Sequence, residues 1–485
     1  MSEARSISWM PSWVHTAELS HFEIPAGDAQ TSWHCARPRP DGWSALGDGL
    51  RKAQSVLKKM TIAEIVAAID KVSERWGDRS FEPRIRARDE VVLATGFSPE
   101  AVERSFDVEL RNYRADSLWR ALRRELGDPE VLDGFRPDVE LQGRGMAIGP
   151  RITLGVFTGN VPGLPALSLV RALLVKSAVI AKVASGEPSF AARFVRTIHA
   201  VEPCLADAIV VTYWDRNDEA SLRGALGQAD AVIAYGGEDA VAAIRARIGP
   251  HQRYVEHGHK LSAGIVTERY LHEVGADEAA RRIAVDVSTF NQHACIAPQA
   301  YLVEGDTEHA RGFAARVARA LSDYAGECPL GTLDEADASS IQLRRATDAW
   351  LAVAREGRDL WCASGLDWTV ILDTDLTSIT GTGNRVLRMI PVSSLDHALS
   401  RLQPIARHLQ NVGVGALGEE LWRAATQLAE LGACRVSEPG RMAEPSMIWR
   451  HDGITCIAAL VRWCDVEMHR ELEAETRQAA AKERA

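Results

Sequence analysis

Between residues 151 and 260 short apolar runs alternate with helical ones, and this alternation restricts the fold more than any other feature of the chain. Strands are predicted at 152–158, 178–183, 208–212, 231–234 and 253–256. Helices are predicted at 165–174, 189–200, 219–226 and 239–248. Strands of this length and texture, separated by helices, form a parallel doubly wound sheet. Sheets of that kind bind ligands at the carboxyl ends of their strands, so strand-end residues are the first place to look for function.

The flanks are read against that core. Residues 1 to about 48 are rich in Trp, Pro, Gly and His without a sustained period, and read as an irregular arm. Thr61-Ile-Ala-Glu64 has the form of a capping box, Ser98-Pro99-Glu100 marks a second helix start, and a third begins at Asp116. Glycine-bearing alternation near 139–148 predicts a hairpin. A second α/β section follows 261. It has helices at 277–288, 307–324 and 336–355, strands at 300–303, 369–372 and 386–392, and a helix from Leu395. After the Met447 to Gly453 stretch a helix is expected through Leu460. The expected division is 1–90, an irregular arm and helices; 91–260 with 435–470 returning; 261–434; and a frayed tail at 471–485.

Totals exclude several functions. The net charge is −10 over 485 residues with no Lys/Arg block, which gives a nucleic-acid partner no electrostatic support. No apolar run reaches the roughly 18 residues of a membrane span, and the N-terminus lacks an apolar signal core. Eight cysteines without Cys-x-x-Cys spacing argue for a reducing cytoplasm and against a zinc cluster. His257-x-His259 is too sparse for a metal site, and none is expected.

Six strand-end or turn positions carry candidate chemistry. Cys295 sits at a turn held by Asn291, Gln292 and Pro298, just before the buried run Ala300-Tyr-Leu-Val303. A cysteine there can serve as a covalent nucleophile. Thr158-Gly-Asn160-Val-Pro-Gly163 joins a strand to a helix, and the Asn160 amide can stabilise an oxyanion. Lys182 ends a strand and can reach a ribose or phosphate. In Tyr235-Gly236-Gly237-Glu238 two glycines precede a helix, allowing close approach of a phosphate. Glu256 follows a strand as a possible base. His293 reads as a brace for the cysteine turn. Each has a structural alternative: a buried thiol, a plain Asn-Pro-Gly turn, a snorkelling lysine, a solvated acid.

Taken in order, these pieces resemble the aldehyde dehydrogenase superfamily, and within it the LuxC-type acyl-CoA reductases. The resemblance runs from about Gly143 to Asp465. It is carried by Thr158-Gly-Asn-Val-Pro-Gly163, Val179-Ile-Ala-Lys182, Val255-Glu-His-Gly258, Phe290-Asn-Gln-x-x-Cys295, Trp449-x-His-Asp-Gly453 and Leu460-Val-Arg-Trp-Cys-Asp465. The resemblance implies an α/β fold of two doubly wound domains, one for the cofactor and one catalytic. It also implies an oligomerisation hairpin at 136–150 and a homo-oligomer, dimer or tetramer. It makes Cys295 the nucleophile, Asn160 with the Cys295 N–H the oxyanion hole, and Glu256 the family's glutamate. Cofactor contacts fall on Thr158, Gly159, Lys182, Ser185, Gly236, Gly237, Glu238 and Gly258. Aldehyde oxidisers carry a glutamate for the ribose hydroxyls of NAD, and Ser185 stands there instead. This favours NADPH over NADH, with Glu187 as the residue that could reverse the preference. A second ribose contact near 380–385 has no clear match.

The implied reaction is reduction of an acyl thioester, on CoA or on an acyl carrier protein, to an aldehyde through an acyl-cysteine. Two other readings remain: an NAD(P)-dependent aldehyde dehydrogenase working toward the acid, and a non-catalytic scaffold of a biosynthetic complex. Aldehyde oxidation without CoA would favour the first, and an inert Cys295 without cofactor binding the second.

Overall fold

The computed structural model describes residues 6–26, 28–354, 357–373 and 383–467. The tail at 471–485 and the first part of 380–385 lie outside them. Two parallel-type sheets dominate. In the first, five strands run all parallel in the order Ile209–Thr212, Ala178–Lys182, Ile152–Val156, Ala231–Tyr235, Arg253–His257. Apart from the edge strand Arg253–His257, their residues are almost wholly buried, as a sheet covered by helices on both faces requires. The second sheet has seven strands: Asp359–Cys362, Thr369–Leu372, Val386–Val392, Pro298–Glu304, Leu261–Val266, Leu409–Gly415 and Arg435–Ser437. Only Asp359–Cys362 pairs antiparallel.

Three residues, Gly258-His259-Lys260, carry the chain from the edge of the first sheet into the middle of the second. The chain returns after Arg435–Ser437, and Arg462–Val466 pairs antiparallel with Gly143–Ile148, which also pairs with Arg136–Asp138. The predicted hairpin is therefore two strands of a three-stranded sheet.

Local signals place the helices that cover this frame. Thr61 accepts from the Glu64 N–H, and the Glu64 carboxylate accepts from the Thr61 N–H, closing the capping box. Ser98 caps the helix Pro99–Leu110. Trp76 anchors their packing, with Phe81, Phe106, Phe190 and Phe194 around its ring at centroid distances of 5.4–6.2 Å.

Three expectations are corrected. The arm is not irregular: Leu19–Ala26 and Asp28–Pro38 form an antiparallel hairpin. Trp33 and Cys35, two residues apart, turn into the core, and His34 between them is only partly buried. Trp9 then bonds both ways to Val211 at the sheet edge. No helix runs to Leu460. The Glu125 carboxylate instead accepts the N–H groups of Cys456, Ile457 and Ala458, fixing this apolar stretch as a loop. The strands Leu261–Val266 and Leu409–Gly415 were not anticipated. The second holds Gln410, Asn411 and two glycines, which dilute a strand signal. A Cβ at Gly413 would lie 2.5 Å from Met442 Sδ, so packing demands the glycine.

Candidate active site

Cys295 follows a turn in which three successive non-glycine residues, Phe290, Asn291 and Gln292, have φ of 55°, 49° and 66°. Such backbone costs about 1–3 kcal/mol per residue and persists only where surroundings over-determine it. Here they do. Asn291 donates to Leu330 O and accepts from Arg385. Gln292 donates to Pro298 O and Val386 O and accepts from Val386 N. His293 Nε2 lies 2.8 Å from Asn384 Oδ1, bracing the turn as expected. All of Asn291, Gln292, Asn384 and Arg385 are buried.

This delivers a half-buried Cys295 to the wall of a cavity of about 470 Å³ at the carboxyl ends of the first sheet. Burial, reinforced by the negative Asp452, pushes the thiol up to about 12. The Gln410 side chain and the N–H groups of Cys295 and Ile296 pull against that shift. In this state Cys295 is a thiol. It needs a base, or a ligand that excludes or offsets the Asp452 charge.

Asn160 lines the same cavity. Thr158 Oγ1 donates to its carbonyl (2.7 Å), which fixes the amide orientation, and Nδ2 donates to His293 O (2.7 Å). The second Nδ2 hydrogen has no acceptor among the described residues. Gly159 permits the approach: a Cβ there would sit 2.6 Å from Glu187 N.

Glu256 is not brought to the cavity. Side chains alternate along a strand, and on Arg253–His257 it is Val255 and His257 that turn inward. Glu256 pairs with Arg245 at the surface. His257 lines the cavity instead, bonding Asp452 through Nδ1 at 2.6 Å. Burial works against the Asp452 charge, but the bonds from His257 and Gln410 and the field of two imidazoles outweigh it and hold the carboxyl low. An ionised Asp452 assigns the hydrogen to His257 Nδ1 and leaves Nε2 as a base; burial keeps the ring neutral by lowering its affinity for a second proton. His451 stacks on His257 (4.1 Å) and Trp449 on His451 (4.6 Å). His257, His451 and Asp452 are close enough to share an ion. The two imidazoles are stacked, however, and the Asp452 carboxylate is already engaged by His257 Nδ1 and Gln410. The signal for His257 was present in the period of two, and that for Asp452 in the Trp-x-His-Asp-Gly run, which had been given no role.

The residues expected at a cofactor are spread along the same strand ends. Lys182 ends its strand with Nζ 5.6 Å from the Tyr213 ring; burial lowers its pKa and Asp215 opposes this. Ser185 is exposed in the next loop. Glu187 is buried, and its carboxylate accepts from Ser189 N, Ser189 Oγ and Phe190 N at the start of a helix. Gly236 and Gly237 precede the helix Glu238–Arg245, with Gly237 open to solvent and no atom within 4 Å of its missing Cβ. Glu238 turns outward toward His408. Thr158, Gly236, Gly237 and Gly258 line the cavity, whereas Lys182 and Ser185 lie beyond it. A strand-end lysine with no ion pair among the described residues and an open glycine turn at a helix start fit a nicotinamide dinucleotide.

Comparison with known proteins agrees with this architecture. Solved structures share the fold: a salicylaldehyde dehydrogenase from Pseudomonas putida (TM-score 0.73, 13% identity, 96% of this chain and 98% of that one) and an aldehyde dehydrogenase C mutant from Pseudomonas syringae complexed with NAD+ and octanal (0.72, 14%, 96% and 97%). Among curated proteins, the long-chain acyl-protein thioester reductase of Photobacterium phosphoreum is 24% identical over 428 residues, 86% of this chain and 83% of that protein. Its counterpart from Photorhabdus luminescens is 25% identical over 421 residues, 84% and 83%. The family described as acyl-CoA reductase (LuxC) matches residues 57–463, and the chain belongs to that family.

Proposed function

We propose that Cys295 carries the acyl group while this chain reduces an acyl thioester to an aldehyde. The observation that carries the assignment is the meeting of Cys295 and Asn160 on one cavity wall, joined through the Asn160 bond to His293 O. The Cys295 thiol gives its proton to His257 Nε2 as sulfur attacks the acyl carbon. The oxyanion is held by the free Asn160 hydrogen and the Cys295 N–H. The carrier thiolate leaves, taking the proton back from His257, and an acyl-Cys295 thioester remains. Asp452 keeps the His257 tautomer fixed throughout. The nicotinamide cofactor, when bound, supplies the hydride that makes the aldehyde. Buried walls around Cys295 keep water from hydrolysing the acyl group first. Glu256, paired with Arg245, has no part in this sequence.

NADPH is the favoured cofactor. Glu187 spends its carboxylate on the helix start, so neither it nor Ser185 would repel a 2′-phosphate. The donor is an acyl-CoA or an acyl carrier protein. All eight cysteines are free, in keeping with a reducing cytoplasm. Among the described residues no helix is long and apolar enough to cross a membrane. The Gly143–Ile148 sheet is where we place subunit contact in a dimer or tetramer.

Single-turnover oxidation of NADPH, and separately NADH, with acyl-CoAs of graded length tests the reading. Aldehyde should form with NADPH in preference. Aldehyde oxidation without any thiol acceptor, and no acyl addition to Cys295, would favour an oxidising dehydrogenase.

A further inference from the structure

The cavity that holds Cys295 has apolar walls at Val161, Leu164, Leu167 and Ile296, but it also encloses buried charged side chains that an alkyl chain alone would leave unmatched. Arg171, on the helix Leu164–Leu174, lines it while only 4% exposed. Its guanidinium has no hydrogen bond or ion pair with any described residue, and its Nε is buried without a partner. Glu109, at the end of the helix Pro99–Leu110, lies on the same cavity wall at 7% exposure and also makes no ion pair. Beside them the Tyr113 hydroxyl is buried and unpartnered. A buried guanidinium without an acceptor is costly. Proteins keep such groups where a ligand completes them.

Building on the thioester-reductase reading, we propose that Arg171 receives a carboxylate on the acyl group, so that the preferred substrate is the monothioester of a dicarboxylic acid. The planar five-donor fork of arginine suits a carboxylate. A chain ending in a methyl group would press against the guanidinium, strip its water and give no acceptor in return. Below neutral pH Glu109 is mostly protonated and opposes the carboxylate little. Burial lifts it to about 7 against the pull of Arg171, so it can carry a proton and donate to the incoming group. The curated relatives are named for long-chain acyl groups, so this separates the chain from them in specificity within one reaction.

The test compares thioesters of equal length on the wild-type enzyme: adipoyl-CoA with hexanoyl-CoA, and suberoyl-CoA with octanoyl-CoA. We expect kcat/KM at least tenfold higher for the carboxylated member of each pair. R171M should reduce that ratio at least tenfold, and R171K should fall between, keeping charge but losing the fork. A binding arm needs no turnover: adipate, but not hexanoate, should slow iodoacetamide alkylation of Cys295, read by mass, and R171M should remove the protection. Equal or better use of the methyl-ended thioesters by the wild type, with reduction intact, overturns the carboxylate proposal and leaves the reductase standing. If no thioester acylates Cys295, the reductase reading falls, and the carboxylate site then stands or falls on adipate protection alone.

Discussion

The turn that presents Cys295 and the wall that faces it are built on opposite terms. In the turn, the buried amides of Asn291 and Gln292 are engaged by backbone or Arg385, and strained backbone is held by them. In the wall, Arg171 Nε, Gln410 Oε1, His451 Nδ1 and Trp449 Nε1 are buried without partners. A closed network fixes position, whereas open donors and acceptors wait for a ligand. The difference separates residues whose loss should unfold the site from those whose loss should silence it.

The largest effect tests the turn's product. Cys295→Ala should lower turnover at least about a thousandfold and abolish acyl labelling. A variant that still takes up acyl groups would remove Cys295 from its role.

Next comes the wall, where two readouts should move in opposite directions. Asp452 raises the thiol, so Asp452→Asn lowers its pKa and speeds alkylation of Cys295 at fixed pH. Turnover should nevertheless fall by about 10²–10⁴, because His257 loses the partner that fixes its base tautomer. In the wild type the raised thiol predicts alkylation that climbs about tenfold per pH unit from 7 to 10. A flat profile over that range would mean that the thiolate is already formed. If turnover and alkylation fall together in Asp452→Asn, the aspartate is structural rather than electrostatic.

Asn291→Ala tests the turn itself. It leaves Arg385 short of its side-chain acceptor and Leu330 O without a donor, both buried. We expect a loss of about 3–5 kcal/mol, read as a lower urea midpoint. Loss of activity with an unchanged midpoint would mean that the turn is not over-determined.

The same contrast explains what could be read from sequence. Cys295, Asn160 and the brace at His293 sit in short ordered motifs, because the special backbone of each turn needs particular residues in succession, although bonds that hold the Cys295 turn come from 39 to 94 positions away. The parallel sheet at 151–260 was legible for the same reason: buried strands are apolar runs. What escaped depends on contacts distant in sequence. Arg171 looks like any arginine on a helix until the fold sets it on one cavity with Glu109, Met447 and Trp449. Leu409–Gly415 reads as a loop until Met442 packs on Gly413. The loop at 456–458 looks helical until Glu125, more than 300 residues earlier, takes its N–H groups.

The smallest expected effect is the most discriminating between sequence motif and strand geometry. Glu256 occupies the position at which the superfamily resemblance puts a functional glutamate, yet it pairs with Arg245, and both side chains meet solvent. An exposed pair of this kind contributes about 0–1 kcal/mol. Glu256→Gln should therefore change kcat/KM by less than about threefold and stability by under about 1 kcal/mol, while His257→Asn should cost turnover on the scale of Asp452→Asn. Reversal of that order would require the strand Arg253–His257 to turn over by one residue. That change would also take Val255 out of the core and His257 off the stack of Tyr235, His451 and Trp449. A register slip of this size exposes one apolar side chain and buries a charge, so the inward histidine and the outward glutamate are two consequences of one pairing.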